Sequence, residues 1–354
     1  MRAKNSPSTH HPLSVSHGFT IIELLVVIVV IGILVAIVVV SYVGLTQKAV
    51  VSSLQSDLGK GYQTLILDYA TNVAYPNTLA AADNGKGVTA SAGTTYQYFP
   101  DNSSDPMMFC LSATKDTTTY YVTNKNSEPI KGSCFDYGLV LSLDAGNSQS
   151  YPGSGTTWTD ISPNPTSCTT SNAPTYTSGP PQNFNFNGSS NLYICPESSK
   201  LNTLTPTVEV WMKTSNINQF GFFFEKGQCN TQYSIFLEGG TIVWRQNLVS
   251  TGLTSLGALS GTYLDTSHWF QVVGTYTSGT RKLYVNGVLA ASDGLTGDIS
   301  TNANGESIGV LGGFNGGRGY YYTGNIGAVN VYNRALTSNE VLQKFNSQKV
   351  RFGY

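Results

Sequence analysis

Hydrophobic and polar positions are distributed unevenly along the chain. Residues 1–18 are polar, whereas residues 19–40, FTIIELLVVIVVIGILVAIVVV, carry a single charge, Glu23. At 1.5 Å per residue a helix over this stretch is about 33 Å long, enough to cross a bilayer. Beyond it Leu54, Leu58, Tyr62, Leu65 or Ile66, Tyr69 and Val73 recur every three to four residues, the stripe of an amphipathic helix that packs against a sheet. Pro76 ends the pattern. One helix over residues 19–74 is therefore predicted, about 80 Å long. Gly59 and Gly61 either bend it or only lower its propensity.

The period then changes. TTYQYF (94–99), MMFCLSA (107–113) and TTTYYVTN (117–124) are short β-type runs, with Thr114, Lys115 and Asp116 forming a turn between the last two. They predict a small antiparallel sheet within residues 75–136. Strand and turn units fill residues 137–354. In TVEVWMK, Val208, Val210 and Met212 share one face and Thr207, Glu209, Trp211 and Lys213 the other. YSIFLEGGTIVWRQ reads as a hairpin around Gly239 and Gly240, and RKLYVNGVLAAS as another around Asn286 and Gly287. Strands at about ten-residue spacing without intervening helices indicate a β-sandwich. A closing helix is marked by the capping-box spacing of Thr337 and Glu340 ahead of VLQKFN. The fold class is thus an α+β module with a long amino-terminal helix, followed by an all-β sandwich.

Composition narrows the function classes. Only 11% of the 354 residues are charged, and Gly, Ser, Thr, Asn and Tyr are abundant, as in secreted β-rich proteins. A net charge of -1 gives no electrostatic reason to expect a nucleic acid partner. All five cysteines lie beyond residue 100, on the far side of any membrane crossed by residues 19–40, where oxidation is favoured. No CxxC or Cys/His spacing suggests zinc. Cys110 lies in one strand and Cys134 just past the next, and a bridge between them would contribute about 3 kcal/mol through loop entropy; two free thiols are the alternative. Cys168, Cys195 and Cys229 cannot all pair. Cys168 with Cys195 is the expected bridge, leaving Cys229 free, although sequence leaves the connectivity open.

The amino-terminal run is too long for the apolar region of a cleaved secretory signal, which takes about 7–15 residues. A plain signal anchor has no use for Glu23, since a carboxylate in hydrocarbon costs about 3 kcal/mol on insertion scales. Arg2 and Lys4, with no acid before Glu23, place the leader in the cytoplasm. The string HGFTIIELLVVIVVIGILVAIV resembles the processing and methylation motif of type IV prepilins and of the pseudopilins of type II secretion. The resemblance implies cleavage by a prepilin peptidase after Gly18, methylation of Phe19 as the new terminus, and Glu23 as the fifth mature residue. Glu23 would then be neutralised by the Phe19 amine of a neighbouring pilin subunit. It also implies a single-pass protein of the inner membrane before assembly and an extracellular location afterwards. YPNTLAAADNGKGV and FCLSATKDTTTYYVTNKNSEPIKGSC look like heads of minor pilins.

Three further segments, over residues 138–162, 268–292 and 322–346, resemble the laminin G-like, concanavalin A-like jelly-roll family. That resemblance implies binding of glycans or proteins through rim loops or the concave sheet, often with calcium. Asp144 and Asp160, in oxygen-rich loops at strand ends, are the candidate calcium ligands, with turn capping as their alternative role. FNGGRGYYY places Arg318, Tyr320 and Tyr321 beside a glycine-rich loop, and aromatic faces with a forked donor suit sugar recognition. Their alternative role is core and hairpin packing.

Catalysis finds no foothold. G-x-S-x-G and H-E-x-x-H are absent, and His268 is the one histidine beyond the leader. Glu209 lacks the partner acids of an E-x-D-x-x-E glycosidase strand. Two readings remain, both non-enzymatic. One is a minor pilin that displays its sandwich for adhesion; the other is a pseudopilin of a secretion or DNA-uptake machine whose sandwich holds cargo or an assembly partner.

Overall fold

A computed structural model describes residues 21–102, 107–196, 198–227, 232–301, 309–311 and 320–354. One helix runs through Ile21–Asn72. The described large apolar side chains between Ile21 and Val35 are exposed all round it, Ile21 at 84% and Val30 at 49%. Among the described residues no helix is long and apolar enough to cross a membrane. Within residues 19–40 the longest unbroken run of described side chains is 24–36, short of the roughly 20 residues that a span requires. The span expected over 19–40 therefore lies partly outside the described residues.

From Leu54 onward the helix becomes a core element. Leu54, Leu58 and Leu65 are fully buried in one cluster with Phe109, Leu111, Ala113 and Val122. At Gly61 the sheet packs close, because a Cβ there would lie 2.5 Å from Leu111 Cδ2. The helix passes through this glycine unbroken, so its role is close packing. The helix ends at Asn72, two residues before the expected stop, where Val73 takes a left-handed φ of 54°. Asp57 and Asp68, buried on the helix, accept hydrogen bonds from the backbone N–H groups of Ser91 and Asp83 and tie down the loop before the sheet.

That sheet is antiparallel, in the order β1 (Thr94–Asp101), β2 (Met108–Lys115), β3 (Thr118–Thr123) and β4 (Asn126–Lys131). The first three are the runs expected from sequence. The fourth, NSEPIK, has no strand signal: it is polar and contains Pro129, which an edge strand with one partner tolerates.

Residues 139–354 form two packed sheets. One runs Val288–Asp293, Thr280–Val285, Phe270–Thr277, Thr207–Thr214, Thr323–Tyr332, Asn183–Asn187 and Thr175–Thr177, with Leu139–Asp144 also paired to Thr323–Tyr332. The other runs Gly252–Leu259, Thr241–Leu248, Tyr233–Glu238, Gly221–Lys226, Gly309–Leu311, Tyr193–Cys195, Cys168–Thr169 and Thr157–Trp158. Val208, Val210 and Met212 share the core between them with Phe224, Ile235 and Trp244. Trp244 lies against Gly274, where a Cβ would be 2.4 Å from the indole, and its Nε1 donates to Thr275 O at 3.1 Å.

The opposite face of Thr207–Thr214 is covered by the helix Ser338–Gln348 and the tail after it. Trp211 stacks on Phe352, with ring centroids 4.1 Å apart. Glu209 accepts from Gln271 Nε2 at 2.7 Å, Asn330 Nδ2 at 3.1 Å and Lys344 Nζ at 3.0 Å. Thr337 caps this helix and Glu340 closes the capping box, and Glu340 also holds the half-buried Arg334 guanidinium through bonds of 2.6 and 2.9 Å. Arg334 in turn fastens the segment just before Leu139, its Nε donating to Tyr137 O at 2.9 Å.

Candidate ligand-binding face

Of the processing residues, Gly18 and Phe19 lie outside the described residues. Glu23 falls within the helix, and its side chain is not described. The structure joins Cys110 to Cys134 and Cys168 to Cys195, while Cys229 lies outside the described residues.

The two aspartates singled out for calcium are engaged by protein groups. Asp160 is buried and accepts from Ser142 N (2.9 Å), Ser162 N (2.8 Å), Ser162 Oγ (3.0 Å) and Thr166 N (2.6 Å). Lys200 Nζ stands 3.7 Å away. Asp144 caps the turn at Gly146 N and forms a two-pronged pair with Arg351 at 2.6 and 2.7 Å. Among the described residues no group of three or more His, Cys, Asp or Glu side chains could hold a metal ion. Both aspartates cap turns, Asp144 at Gly146 N and Asp160 at Ser162 N, as in their alternative reading.

The tyrosine run divides in two. Tyr322 points inward, fully buried, with its ring 5.1 Å from that of Phe223 and 6.3 Å from that of Phe186. Tyr320 joins a cluster on the other side of the sheet, and Tyr321 is half-buried between them. Arg318 lies outside the described residues.

The Tyr320 cluster is built by cross-strand register. Phe222 pairs with Phe236, and Phe236 with Val243. These three side chains are buried in one cluster, with Phe220 and Tyr320 packed against them. The Phe220 and Tyr320 rings are 4.0 Å apart and both half-buried. Gln219 sets this contact, since its Oε1 accepts from Thr323 N at 2.7 Å and its Nε2 donates to Thr323 O at 2.9 Å. Arg245 extends over Phe236, its guanidinium 4.4 Å from the ring. Its Nε donates to Ser255 Oγ at 3.0 Å and its Nη2 to Glu238 Oε2 at 3.2 Å. Burial lowers the Arg245 pKa, with Glu238 and Glu225 acting against that shift. The result is two rings in tilted contact beside a cation held by an exposed carboxylate and a hydroxyl. An apolar ring face could rest on the aromatics while hydroxyls reach the polar groups.

Sequence reading found Tyr320 but missed Phe220, Phe222, Phe236 and Arg245. A signal existed, in the alternation of Phe220 with Phe222 and of Val243 with Arg245. It identifies a shared face only once the strand partners are known.

Comparison with known proteins agrees with these two parts. The prokaryotic N-terminal methylation motif matches residues 13–39, and the laminin G-like domain of the Concanavalin A-like lectin/glucanases superfamily matches residues 186–342. The chain thus carries a prepilin-type processing segment and a lectin-like sandwich. No curated protein matches it. Among solved structures it is similar to the binding domain of Paraclostridial Mosquitocidal Protein 1, at 20% identity and a TM-score of 0.46, over 59% of this chain and 52% of that one. It is likewise similar to the botulinum neurotoxin serotype D binding domain, at 18% identity and a TM-score of 0.48, over 60% and 52%. The chain spans about half of each of these.

Proposed function

We propose that the chain is a minor subunit of a type IV pilus-like filament that displays its sandwich as an adhesion module. It enters the inner membrane, is cut after Gly18 by the prepilin peptidase and methylated on Phe19, and packs among other pilin subunits with Glu23 paired to a neighbour's terminus. The sandwich binds a glycan or protein on a surface through the face built by Phe220, Tyr320 and Arg245, without catalysis. The observation that carries this reading is the presence in one chain of a methylation motif and a lectin-like sandwich. A head with so large an addition is hard to repeat at every subunit, which favours low copy number.

Immunogold labelling of cells is the first test, and labelled external fibres are expected. Label retained in the envelope would support the pseudopilin reading instead, with the sandwich holding cargo or an assembly partner. A glycan array probed with and without calcium then tests the ligand class.

A further inference from the structure

We propose that the Cys110–Cys134 disulfide is a load shunt, carrying tension from the sandwich directly into β2 and leaving β3 and β4 outside the load path. The source of tension rests on the adhesion reading; the geometry does not.

The sandwich begins at Leu139, and the residues just before it are fastened to it. Arg334 donates to Tyr137 O and lies 4.8 Å from that tyrosine's ring, and Lys344 Nζ is 5.2 Å from the Phe135 ring. A pull on the sandwich therefore arrives at Cys134. From there the chain reaches the long helix by two routes: back along β4 and β3, or across the disulfide to Cys110 in β2.

The two routes differ in strength. β4 is an edge strand whose side chains are exposed or half-buried, and its pairing with β3 is broken by a register shift. It ends at Lys131, three residues before Cys134. Tension entering at that end would open its hydrogen bonds one after another. β2 is paired along its length with β1, and from Cys110 to Lys115 with β3. Its residues Phe109 to Ala113 are buried, with Phe109, Leu111 and Ala113 packed in the cluster that holds the helix. Cys110 lies on the other side of this strand, in a cluster with Phe99, Tyr121 and Cys134. Tension entering at Cys110 must displace a central strand from two neighbours and a helix together. The disulfide thus bypasses the weakest strand of the head and loads the strongest.

The test is force spectroscopy on the full chain in detergent micelles, held by its two ends. Wild type is compared with Cys110→Ser/Cys134→Ser, which keeps Cys168–Cys195, and with wild type reduced after folding, in case the variant does not fold. Opening the bridge is expected to add an early low-force step. Its length follows from freeing residues 116–133, which hold β3 and β4, at about 3.5 Å per residue, or about 60 Å. The oxidised chain should lack this step and yield at higher force. Equal rupture forces with no early step in the opened chain would overturn the proposal. Failure of surface display or ligand binding would instead overturn the adhesion reading and leave this measurement unchanged.

Discussion

The ammonium of Lys344 lies 3.0 Å from the carboxylate of Glu209, and both side chains are shut away from water. Burial opposes the charge on Lys344, but Glu209 and then Tyr332 outweigh it and hold the lysine pKa above its ordinary range. Lys344→Ala would leave Glu209 buried without its cation, at an expected cost of about 3–5 kcal/mol. Urea denaturation measures it. Lys344→Met with Glu209→Met should cost less than the two single changes added together, because no lone charge remains.

Processing is expected to remove residues 1–18 and add one methyl group, as intact mass of filament protein would show. Gly18 replaced by a bulky residue should block cleavage, because the peptidase must approach the backbone closely. Glu23→Val should still insert and be cut, since losing a charge eases entry into lipid. It should fail in filament incorporation. Normal piliation by this variant would remove the pairing role given to Glu23.

Phe220→Ala with Tyr320→Ala should weaken binding of any array-identified ligand by at least about tenfold, or 1.4 kcal/mol. The melting temperature should barely move, because both rings are only half-buried. Arg245→Ala tests the polar side of the same face. A collapsed melt in the ring variant would assign these residues to packing alone. Because Asp144 and Asp160 already have protein partners, the same melt is expected in calcium and in chelator.

Burial pushes the phenol of Tyr96 in the head up to about 12, with Asp57 adding to the shift. Burial likewise raises Tyr332 in the sandwich to about 12, although Lys344 pulls against it. The neutral form is the one the fold favours, so the unfolded chain loses these protons first. Their stabilisation is fully present below the ordinary tyrosine value of about 10 and lost as pH rises through about 12. Melts followed by circular dichroism should be level from pH 8 to 9.5 and fall steeply above 10. A level profile to pH 12 would contradict this assignment.

Much of the architecture is written in local pattern. The long helix is legible because apolar residues recur at its own period, and β1 to β3 because alternation and a turn signal coincide. The capping box at Thr337 and Glu340 is legible because its two bonds join residues only three apart. β4 was not legible: a polar strand containing proline is held by its partner, not by its own preference.

Sequence by itself determined the processing segment, the order of the two parts and the sandwich class, since each depends on residues close together in the chain. Only the tertiary structure decided what the marked side chains do. Asp144 found Arg351 from 207 positions away, and Asp160 became the hub of a buried turn. Tyr320 and Tyr322 went to opposite sides of one sheet. The face made by Phe220, Phe236, Arg245 and Tyr320 draws on two strands and on the segments leading into two others, and strand register sets which side chains meet.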